Sequence, residues 1–441
     1  MTAYIPNIIF ALTLVAGIGY FTRNVKRLIR NIKLGKSVTV NDNKPKRWKN
    51  MARIALGQTK MVVRPVAGVL HVIVYLGFII INIEVLEIII DGIFGTHRVF
   101  AFLGTFYNIL IGSFEVLAFL VILAVVVFWL RRNIIKLKRF LKPEMEGWPK
   151  KDGNWILYIE VILMFLFLTM NAADYALQQQ GVEYYVKAGA FPVSQWIAIF
   201  FEDFSEGALI GIERVAWWLH IVGILFFLNY LYYSKHLHIL LAFPNTYYGK
   251  VSPQGQMTNL EAVTNEVKLM LDPAADPFAA QDSDSQDPEK FGASDVMDLN
   301  WVQLLNAYTC TECGRCTSEC PANQTGKKLS PRKIMMDTRD RLEEVGKNMD
   351  GNKGAFVPDG KQLLDNYISR EELWACTTCN ACVQACPVSI DPLSIILDMR
   401  RFLVMEQSAA PTELNNMMTN IENNGAPWPY NQMDRLNWVN E

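Results

Sequence analysis

All eight cysteines of the 441-residue chain fall into two copies of one spacing pattern, C-x2-C-x2-C-x3-C-P. The copies are Cys310, Cys313, Cys316 and Cys320, followed by Pro321, and Cys376, Cys379, Cys382 and Cys386, followed by Pro387. Thiolates at this spacing ligate [4Fe–4S] clusters, and the proline turns the chain out of the site. Structural zinc is usually held by separated cysteine pairs, and disulfides are rare where thiols stay reduced. The pattern therefore predicts two [4Fe–4S] clusters.

The spacing also predicts how the clusters share their ligands. Three cysteines that are three residues apart can wrap one cluster on a tight turn, whereas the fourth points away and, in two-cluster ferredoxins, ligates the other cluster. The first cluster is therefore expected on Cys310, Cys313, Cys316 and Cys386. The second cluster is expected on Cys376, Cys379, Cys382 and Cys320.

Four of the five histidines lie in or beside apolar segments: His71, His220, His236 and His238. A histidine inside a membrane is costly without a function, and two imidazoles can hold a b-type haem beside an iron–sulfur relay. The alternative for any single histidine is a hydrogen bond to a helix carbonyl. Together they predict one haem b and leave a second open, because the spare histidine, His97, lies in a loop.

Helix geometry sorts these histidines. On a continuous helix His220 and His238 are five turns apart, so they share one face and are separated by about 27 Å along the axis. His236 is then expected on the opposite face, where it would serve a haem propionate or a quinone. His71 lies in the inner half of its segment, and spacing alone allows it to pair with either His220 or His238.

These residues must be positioned by a membrane part and a polar part. Hydrophobic residues make up 51% of the chain and charged residues 19%, with a mean hydropathy of +0.14, which is too apolar for an ordinary soluble protein. Five segments are long and apolar enough to span a bilayer: 4–22, 66–90, 105–130, 154–173 and 214–233. We therefore expect a five-helix transmembrane bundle over residues 1–245.

Basic residues predict the orientation of this bundle. Thirteen Lys and Arg lie from Arg23 to Arg64, and eight lie from Arg131 to Lys151. Because basic loops stay in the cytoplasm, the N-terminus and the acidic segment 174–213 are expected outside. Five spans then place the cysteines in the cytoplasm, where thiols are kept reduced. The chain is predicted to be a multi-pass protein of the inner (cytoplasmic) membrane.

Three segments are expected after the last span. Residues 246–300 are rich in acids, prolines and alanines and are predicted to be a linker without regular structure. Residues 301–407 are predicted to form an α-helical ferredoxin domain, because the 55 residues between the two cysteine groups are too many for a compact βαβ ferredoxin. Residues 408–441 are expected to form a docking tail. Helix N-termini are predicted at Ser330-Pro331, at Ser369 with Glu372, and at Asp391-Pro392.

The order of these elements resembles a known family. Five spans, with His71 in the second and a His220-x17-His238 pair at the fifth, resemble the cytochrome b (gamma) subunit of respiratory nitrate reductase. The fused dicluster part is similar to the C subunit of heterodisulfide reductase. The whole chain, over 1–245 and 295–441, resembles membrane-bound heterodisulfide-reductase-like oxidoreductases, which include electron-transfer-flavoprotein:menaquinone oxidoreductases.

The resemblance implies that His71 and His238 ligate an inner haem and that His220 is one ligand of an outer haem. The nitrate reductase pattern has a further histidine ten residues after the first, and this chain has Ile81 there. The second ligand of the outer haem is therefore missing from the expected position. The family's catalytic part is a cysteine-rich CCG domain. No cysteine remains here to build one, so the resemblance implies a separate cytoplasmic redox subunit, with CCG domains or flavin.

Quinone chemistry moves protons together with electrons, so acids inside the spans are candidate proton carriers. They are Glu84, Glu87, Glu115 and Glu160. Buried membrane acids are functional hypotheses by default, although each can instead bond a neighbouring helix. The four positions by themselves indicate no quinone site.

We therefore expect an all-α electron-transfer subunit of a quinone oxidoreductase complex in a respiratory chain. It would pass electrons between a cytoplasmic redox partner and menaquinone or another quinone. A self-contained quinone-dependent dehydrogenase is the first alternative, but no dinucleotide-binding glycine pattern or flavin motif occurs. A membrane-anchored iron–sulfur sensor is the second, but it needs neither two clusters nor several span histidines. The expected partners are a redox subunit, quinone and lipid, with no nucleic acid.

Overall fold

The computed structural model describes residues 4–273 and 290–440, and this part of the chain is helical, without a β-strand. Short 3-10 and π turns link the α-helices. In chain order the α-helices are α1 (Ile5–Ile32), α2 (Lys44–Met51), α3 (Pro65–Phe94), α4 (Thr105–Asn133), α5 (Trp148–Gln180), α6 (Ser194–Ala198), α7 (Glu206–Tyr230), α8 (His238–Tyr248), α9 (Glu261–Leu271), α10 (Trp301–Thr309), α11 (Arg315–Ser318), α12 (Pro321–Gln324), α13 (Pro331–Gly351), α14 (Leu363–Asn366), α15 (Arg370–Trp374), α16 (Ala381–Ala385), α17 (Pro392–Met405) and α18 (Thr412–Asn424).

Five long helices, α1, α3, α4, α5 and α7, form a bundle. Each is long and apolar enough to cross a membrane, which confirms the predicted number of spans. α5 lies along α7, α3 packs on α4, and α1 packs on both α3 and α7. Their shared core buries Phe10, Phe114 and Phe167, while Leu12 and Phe165 are exposed on the outer faces. An apolar outer face is what contact with lipid requires.

Helices α5 and α7 extend beyond the apolar runs that predicted them. Residues 174–180 and 206–213, expected in an outer connection, are helical. Their acids find partners inside the protein, since Asp174 pairs with Arg98 at 2.6 Å and Glu213 accepts a hydrogen bond from Tyr185 at 3.1 Å. Because a buried charge is tolerated when it is paired, these helices continue past the length that hydropathy detects.

The fifth long helix ends before it reaches the last histidine pair. α7 stops at Tyr230 and α8 starts only at His238, with 3-10 turns between them. Ser234 is extended (φ −116°, ψ 146°), and its hydroxyl accepts a hydrogen bond from the backbone N–H of His236. A serine that bonds nearby backbone in this way competes with helix formation. The prediction of one continuous helix from His220 to His238 is therefore wrong.

Residues 290–407, called the cluster region below, surround a second core. Helices α10, α13 and α17 contribute the fully buried side chains Leu304, Ile334, Leu342, Ile395 and Met399. All three predicted N-termini are confirmed: Ser330 caps α13, Ser369 and Glu372 form a capping box at α15, and Asp391 caps α17.

The cluster region begins before residue 301, where the acidic linker was predicted to end. Val296 and Leu299 are fully buried in its core. Gly292 has a φ of +73° and packs so closely that an added Cβ would lie 2.2 Å from the Asp398 carbonyl oxygen. The acidic composition of 246–300 masked these few core residues. Of the same segment, Glu261–Leu271 is helical, and residues 274–289 lie outside the described residues.

The segment after residue 407 contains α18 and two short turns. Its two tryptophans are mostly exposed, with Trp428 at 59% and Trp438 at 71%. Docking of this tail on a partner stays a prediction.

The cluster region is tied to one end of the bundle, called the cluster end below; the other is the far end. Asn31 of α1 donates to the Tyr308 hydroxyl of α10 at 3.0 Å. Arg332, which is fully buried, pairs with Glu144 between α4 and α5 at 2.8 Å. These buried polar contacts orient the cysteine loops relative to the long helices.

Arg341→Met should destabilise the cluster region. Arg341 is fully buried on α13, and its guanidinium pairs with Asp295 at 2.8 Å and Asp359 at 2.6 Å. Loss of these charge-assisted hydrogen bonds should cost on the order of 2–3 kcal/mol. Thermal unfolding of the detergent-solubilised protein should show a lower Tm. The control Lys361→Met removes only an exposed pair with Glu344 and should leave the Tm nearly unchanged; equal Tm values for both variants would contradict the assignment.

Candidate functional site

The two cysteine loops have the same unusual backbone. Glu312 and Gly314 in the first loop have φ values of 54° and 70°, and Thr378 and Asn380 at the matching positions of the second have 56° and 61°. Left-handed residues other than glycine are uncommon. Runs of backbone N–H groups that turn in this way form concave anion-binding sites, including iron–sulfur sites. The Thr378 N–H donates to the Cys376 sulfur at 3.4 Å. Each loop therefore fits an anionic cluster held by thiolates.

The fold brings the fourth cysteine of each copy to the opposite loop. α11 packs against α16, so the Cys386 thiol lies beside Cys313 and Cys316. In the same way Cys320 lies beside Cys376 and Cys382. Cys316 also lies near Cys382, and the crossed ligand sets stay a prediction.

Burial and donor type also suit a cluster. Burial raises the pKa of the Cys310 thiol to about 12 and that of Cys386 to about 11, so cluster assembly must displace protons from these sulfurs. Soft thiolate donors favour iron–sulfur clusters. No group of three or more His, Cys, Asp or Glu in the described ranges is arranged to hold a single metal ion.

The two thiol groups differ in access to solvent. Cys310, Cys320, Cys382 and Cys386 are buried, whereas Cys379 is exposed. Cys313 is partly exposed and lines a cavity in the bundle. Each group thus has two buried cysteines, and the second group also has the exposed Cys379.

That cavity, called the central cavity below, has a volume of about 490 Å³ and lies within the bundle at the cluster end. Four histidines line it: His71, His220, His236 and His238. His236 was expected on the opposite face from His238, and this is wrong, because the helix breaks at Ser234. The two rings are instead 5.4 Å apart, and His236 lies 3.7 Å from the Glu160 carboxylate.

His71 and His238 face each other with ring centroids 6.4 Å apart. An imidazole nitrogen lies about 1 Å from its ring centroid and about 2 Å from a bound first-row metal, so two imidazoles on opposite sides of one metal have centroids roughly 6 Å apart. The pair therefore has the separation that a bis-histidine haem iron needs.

The hydrogen bonds of His238 and His220 leave Nε2 of each ring free for ligation. His238 Nδ1 lies 3.1 Å from the Lys235 carbonyl oxygen, and His220 Nδ1 lies 3.0 Å from that of Leu163. A ligating histidine usually donates its other N–H to such an acceptor. Burial lowers the pKa of His238, which keeps the ring neutral as ligation requires. His71 Nδ1 is buried without a hydrogen-bond partner in the described chain.

Cations line the cluster end of the central cavity: Arg131, Arg132, Arg139, Lys235 and Arg315. Arg132 Nε is buried and has no hydrogen-bond partner among the described residues. Haem carries two carboxylates, which would supply a partner of the right charge for Arg132. These cations were not predicted from the sequence, although the position of Arg315 between two cysteines was a usable signal.

His97 lies in a different place. It lines a cavity of about 400 Å³ at the far end, called the far cavity, where its Nε2 is 3.5 Å from Asp174. It does not line the central cavity with His220. The described structure therefore does not bring His97 to His220, and Ile81 lines the central cavity at the sequence position where the resemblance has a histidine.

The four acids expected within the spans divide into two kinds. Glu87 accepts hydrogen bonds from the Tyr107 hydroxyl at 2.8 Å and the Phe100 N–H at 2.9 Å. Glu115 accepts the N–H groups of Val193 and Ser194 at 2.9 and 3.0 Å. These two hold the fold together.

The other two acids face cavities. Glu84 lines the far cavity, and one of its oxygens is buried without a partner in the described chain. Glu160 lines the central cavity beside His236. Glu87 also lines the far cavity, but both of its carboxylate oxygens accept hydrogen bonds, so among these four acids Glu84 and Glu160 have the freer carboxylates.

Comparisons with known proteins agree with the cysteine geometry. Residues 309–390 match the model of a 4Fe-4S dicluster domain. The chain is 28% identical to a probable iron–sulfur-binding oxidoreductase, FadF, of Bacillus subtilis, over 98% of this chain and 61% of the relative. It is 27% identical to EtfAB:quinone oxidoreductase of Syntrophomonas wolfei, over 88% of this chain and 53% of the relative.

A third relative belongs to a heterodisulfide reductase. The C subunit of the ferredoxin/F(420)H(2)-dependent CoB-CoM heterodisulfide reductase of Methanosarcina acetivorans is 31% identical, over 27% of this chain and 60% of the relative. The chain spans only 61% and 53% of the lengths of the first two relatives. No solved structure matches it. The chain is thus a homologue of iron–sulfur oxidoreductases and contains a 4Fe-4S dicluster domain, as the resemblance implied.

Proposed function

We propose that this chain is a membrane electron-transfer subunit that links a cytoplasmic redox partner to the menaquinone or other quinone pool through two [4Fe–4S] clusters and haem b. One observation carries the proposal: Cys313 lines the same cavity as the facing pair His71 and His238. A cluster ligand and two haem-type ligands thus line one cavity, which would keep the two cofactors close enough for electron transfer.

His71 and His238 are the haem ligands in this proposal. Their separation fits one iron, and both lie at the cluster end. His220 lines the same cavity, but its ring packs on Phe167 at 5.9 Å, so we propose one haem per chain. Arg132 would pair with a haem carboxylate.

The clusters are held by the crossed ligand sets. Cys310, Cys313, Cys316 and Cys386 hold the first cluster, and Cys376, Cys379, Cys382 and Cys320 hold the second. The neighbouring thiols support this pairing. The first cluster lies against the central cavity and the second lies at the surface near the exposed Cys379, so the soluble partner would exchange electrons with the second.

Quinone is the membrane partner in this proposal. The central cavity is lined on its outer side by the lipid-facing residues Phe78 and Ile79, which are 47% and 46% exposed. A quinone could enter between them from the bilayer. The relative named EtfAB:quinone oxidoreductase supports the same substrate class.

The cluster end is placed in the cytoplasm. The segments rich in Lys and Arg, 23–64 and 131–151, lie at this end, and basic loops stay inside. The cytoplasmic redox partner in this proposal carries CCG domains or flavin.

His71→Ala should remove haem b and leave the iron–sulfur clusters in place. The histidine lies on α3 inside the bundle, whereas the cysteines belong to the cluster region. The reduced-minus-oxidised optical spectrum should lose its b-type bands while iron–sulfur absorption persists. His97→Ala is the matched control, because His97 lies in the far cavity, and it should keep the haem. Unchanged haem content in the His71 variant would refute the ligand assignment.

Cys386→Ser should damage the first cluster and spare the second. Its thiol lies beside Cys313 and Cys316, although Cys386 follows the second loop in sequence. Paramagnetic resonance spectra of the reduced variant should lose one cluster signal. Cys320→Ser should remove the other signal, which makes the two variants mutual controls. If Cys386→Ser and Cys379→Ser removed the same signal, the crossed ligation would be wrong.

A further inference from the structure

We propose that three cations, Lys60, Arg139 and Arg315, hold the first cluster at a higher reduction potential than the second, so that electrons run inward from the surface to the haem. This inference rests on the two clusters of the proposed function. It adds a direction of flow, which the cofactors alone do not define. The difference in charge around the two cysteine groups supports this inference.

Arg315 is the most enclosed of the three. It lies between Cys313 and Cys316 and is only 4% exposed. Its guanidinium donates to the backbone carbonyls of Lys60 at 2.9 Å and Met61 at 3.1 Å. No carboxylate pairs with it in the described chain, so its charge is not cancelled by a neighbour.

Arg139 and Lys60 approach the same cluster from two other segments. Arg139 lines the central cavity with Cys313, its Nε is buried without a hydrogen-bond partner, and its guanidinium lies over the Phe140 ring at 4.9 Å. The Lys60 ammonium donates to the Ser389 hydroxyl at 3.3 Å, three residues after Cys386. Neither forms a salt bridge with a described residue.

Other cations near the first cluster are already neutralised. Arg64 pairs with Glu319 at 2.8 Å, and Arg339 pairs with Glu312 at 2.8 Å. The positive charges of these two arginines are therefore balanced by their carboxylate partners. Three uncompensated positive charges remain beside the first cluster.

The second cluster has no such excess. Arg400 is its close cation and donates to the Leu373 carbonyl at 3.0 Å, with its guanidinium over the Trp374 ring at 4.9 Å. The Asp391 carboxyl lies near Cys382 on the other side. One positive and one negative group roughly cancel.

The charge difference sets the order of the potentials. Reduction adds one negative charge to a cluster, and net charge is one of the factors that tune its potential. Nearby cations stabilise the reduced form, and at an effective dielectric constant of ~20 each is about four times stronger than in water. The exposure of Cys379 acts in the opposite sense by solvating the second cluster. We expect the three unpaired cations beside the first cluster, against one cation and one carboxyl beside the second, to outweigh this effect.

The direction of flow would follow from the two ligand sets. Cys376, Cys379, Cys382 and Cys320 would hold the cluster that accepts one electron from the cytoplasmic partner and passes it to the cluster held by Cys310, Cys313, Cys316 and Cys386. That cluster would pass the electron to the haem held by His71 and His238, and the haem would return to its oxidised form by passing the electron to quinone. Two such electrons and two protons would convert one quinone to one quinol.

The test is a redox titration of the full-length protein in detergent, followed by paramagnetic resonance. Cys386→Ser identifies which signal belongs to the first cluster. In the unmodified protein that signal should have the higher midpoint potential. Arg139→Gln and Lys60→Gln should each shift it to a more negative value and leave the second signal in place.

Matched variants separate the effect of a lost charge on the midpoint potential from the effect of a disturbed structure. Arg315→Gln should give the largest negative shift, and Arg315→Lys should restore most of it because the charge returns. Arg400→Gln should shift only the second signal. If Arg315→Gln fails to assemble the first cluster, the Arg139→Gln and Lys60→Gln variants test whether positive charge raises the reduction potential of that cluster.

The experiment distinguishes a failure of this inference from a failure of the proposed function. If the second cluster has the higher potential, or if removing Arg139 and Lys60 moves neither signal, this inference is overturned while the two-cluster function stands. If two cluster signals or the b-type haem are missing from the unmodified protein, the proposed function fails instead.

Discussion

The proposed electron path depends on the contact between the first cysteine loop and the loop that precedes α3. Arg315, between two cysteines of the first loop, donates to the carbonyls of Lys60 and Met61. α3 begins just after this loop and carries His71 on its second turn. The contact therefore brings Cys313 into the wall of the cavity that His71 lines. Arg64 adds a hydrogen bond to Ser318 at 2.8 Å across the same contact, so residues that are far apart in sequence line one cavity.

Local patterns account for the part of the structure that could be predicted from sequence. The caps at Ser330, Ser369 and Asp391 depend on a side chain and backbone within three residues, and the five spans depend on length and hydropathy. The position of His238 could not be predicted in this way, because the hydroxyl of Ser234 breaks the helix and redirects the chain. Spacing alone left the partner of His71 undecided, and tertiary packing brings it to face His238.

Charge placement was the least predictable feature. Lys60 and Arg139 come from segments that looked like ordinary basic loops, whose excess of cations topology already explains. Only the packing of the cluster region shows that they lie beside Cys386 and Cys313 and lack carboxylate partners in the described chain. In our proposals the same residues would orient the bundle in the membrane and stabilise an added electron on one cluster.

The most direct test of the central claim is a map of the iron sites in the intact protein, obtained by anomalous scattering at the iron absorption edge. We expect three iron centres in a row, with a single iron between His71 and His238 and the cluster bound by Cys313 and Cys386 as its neighbour. The cluster with Cys379 should be the outermost. A map without iron between the two histidines, or with the Cys379 cluster next to the haem, would contradict the proposed path.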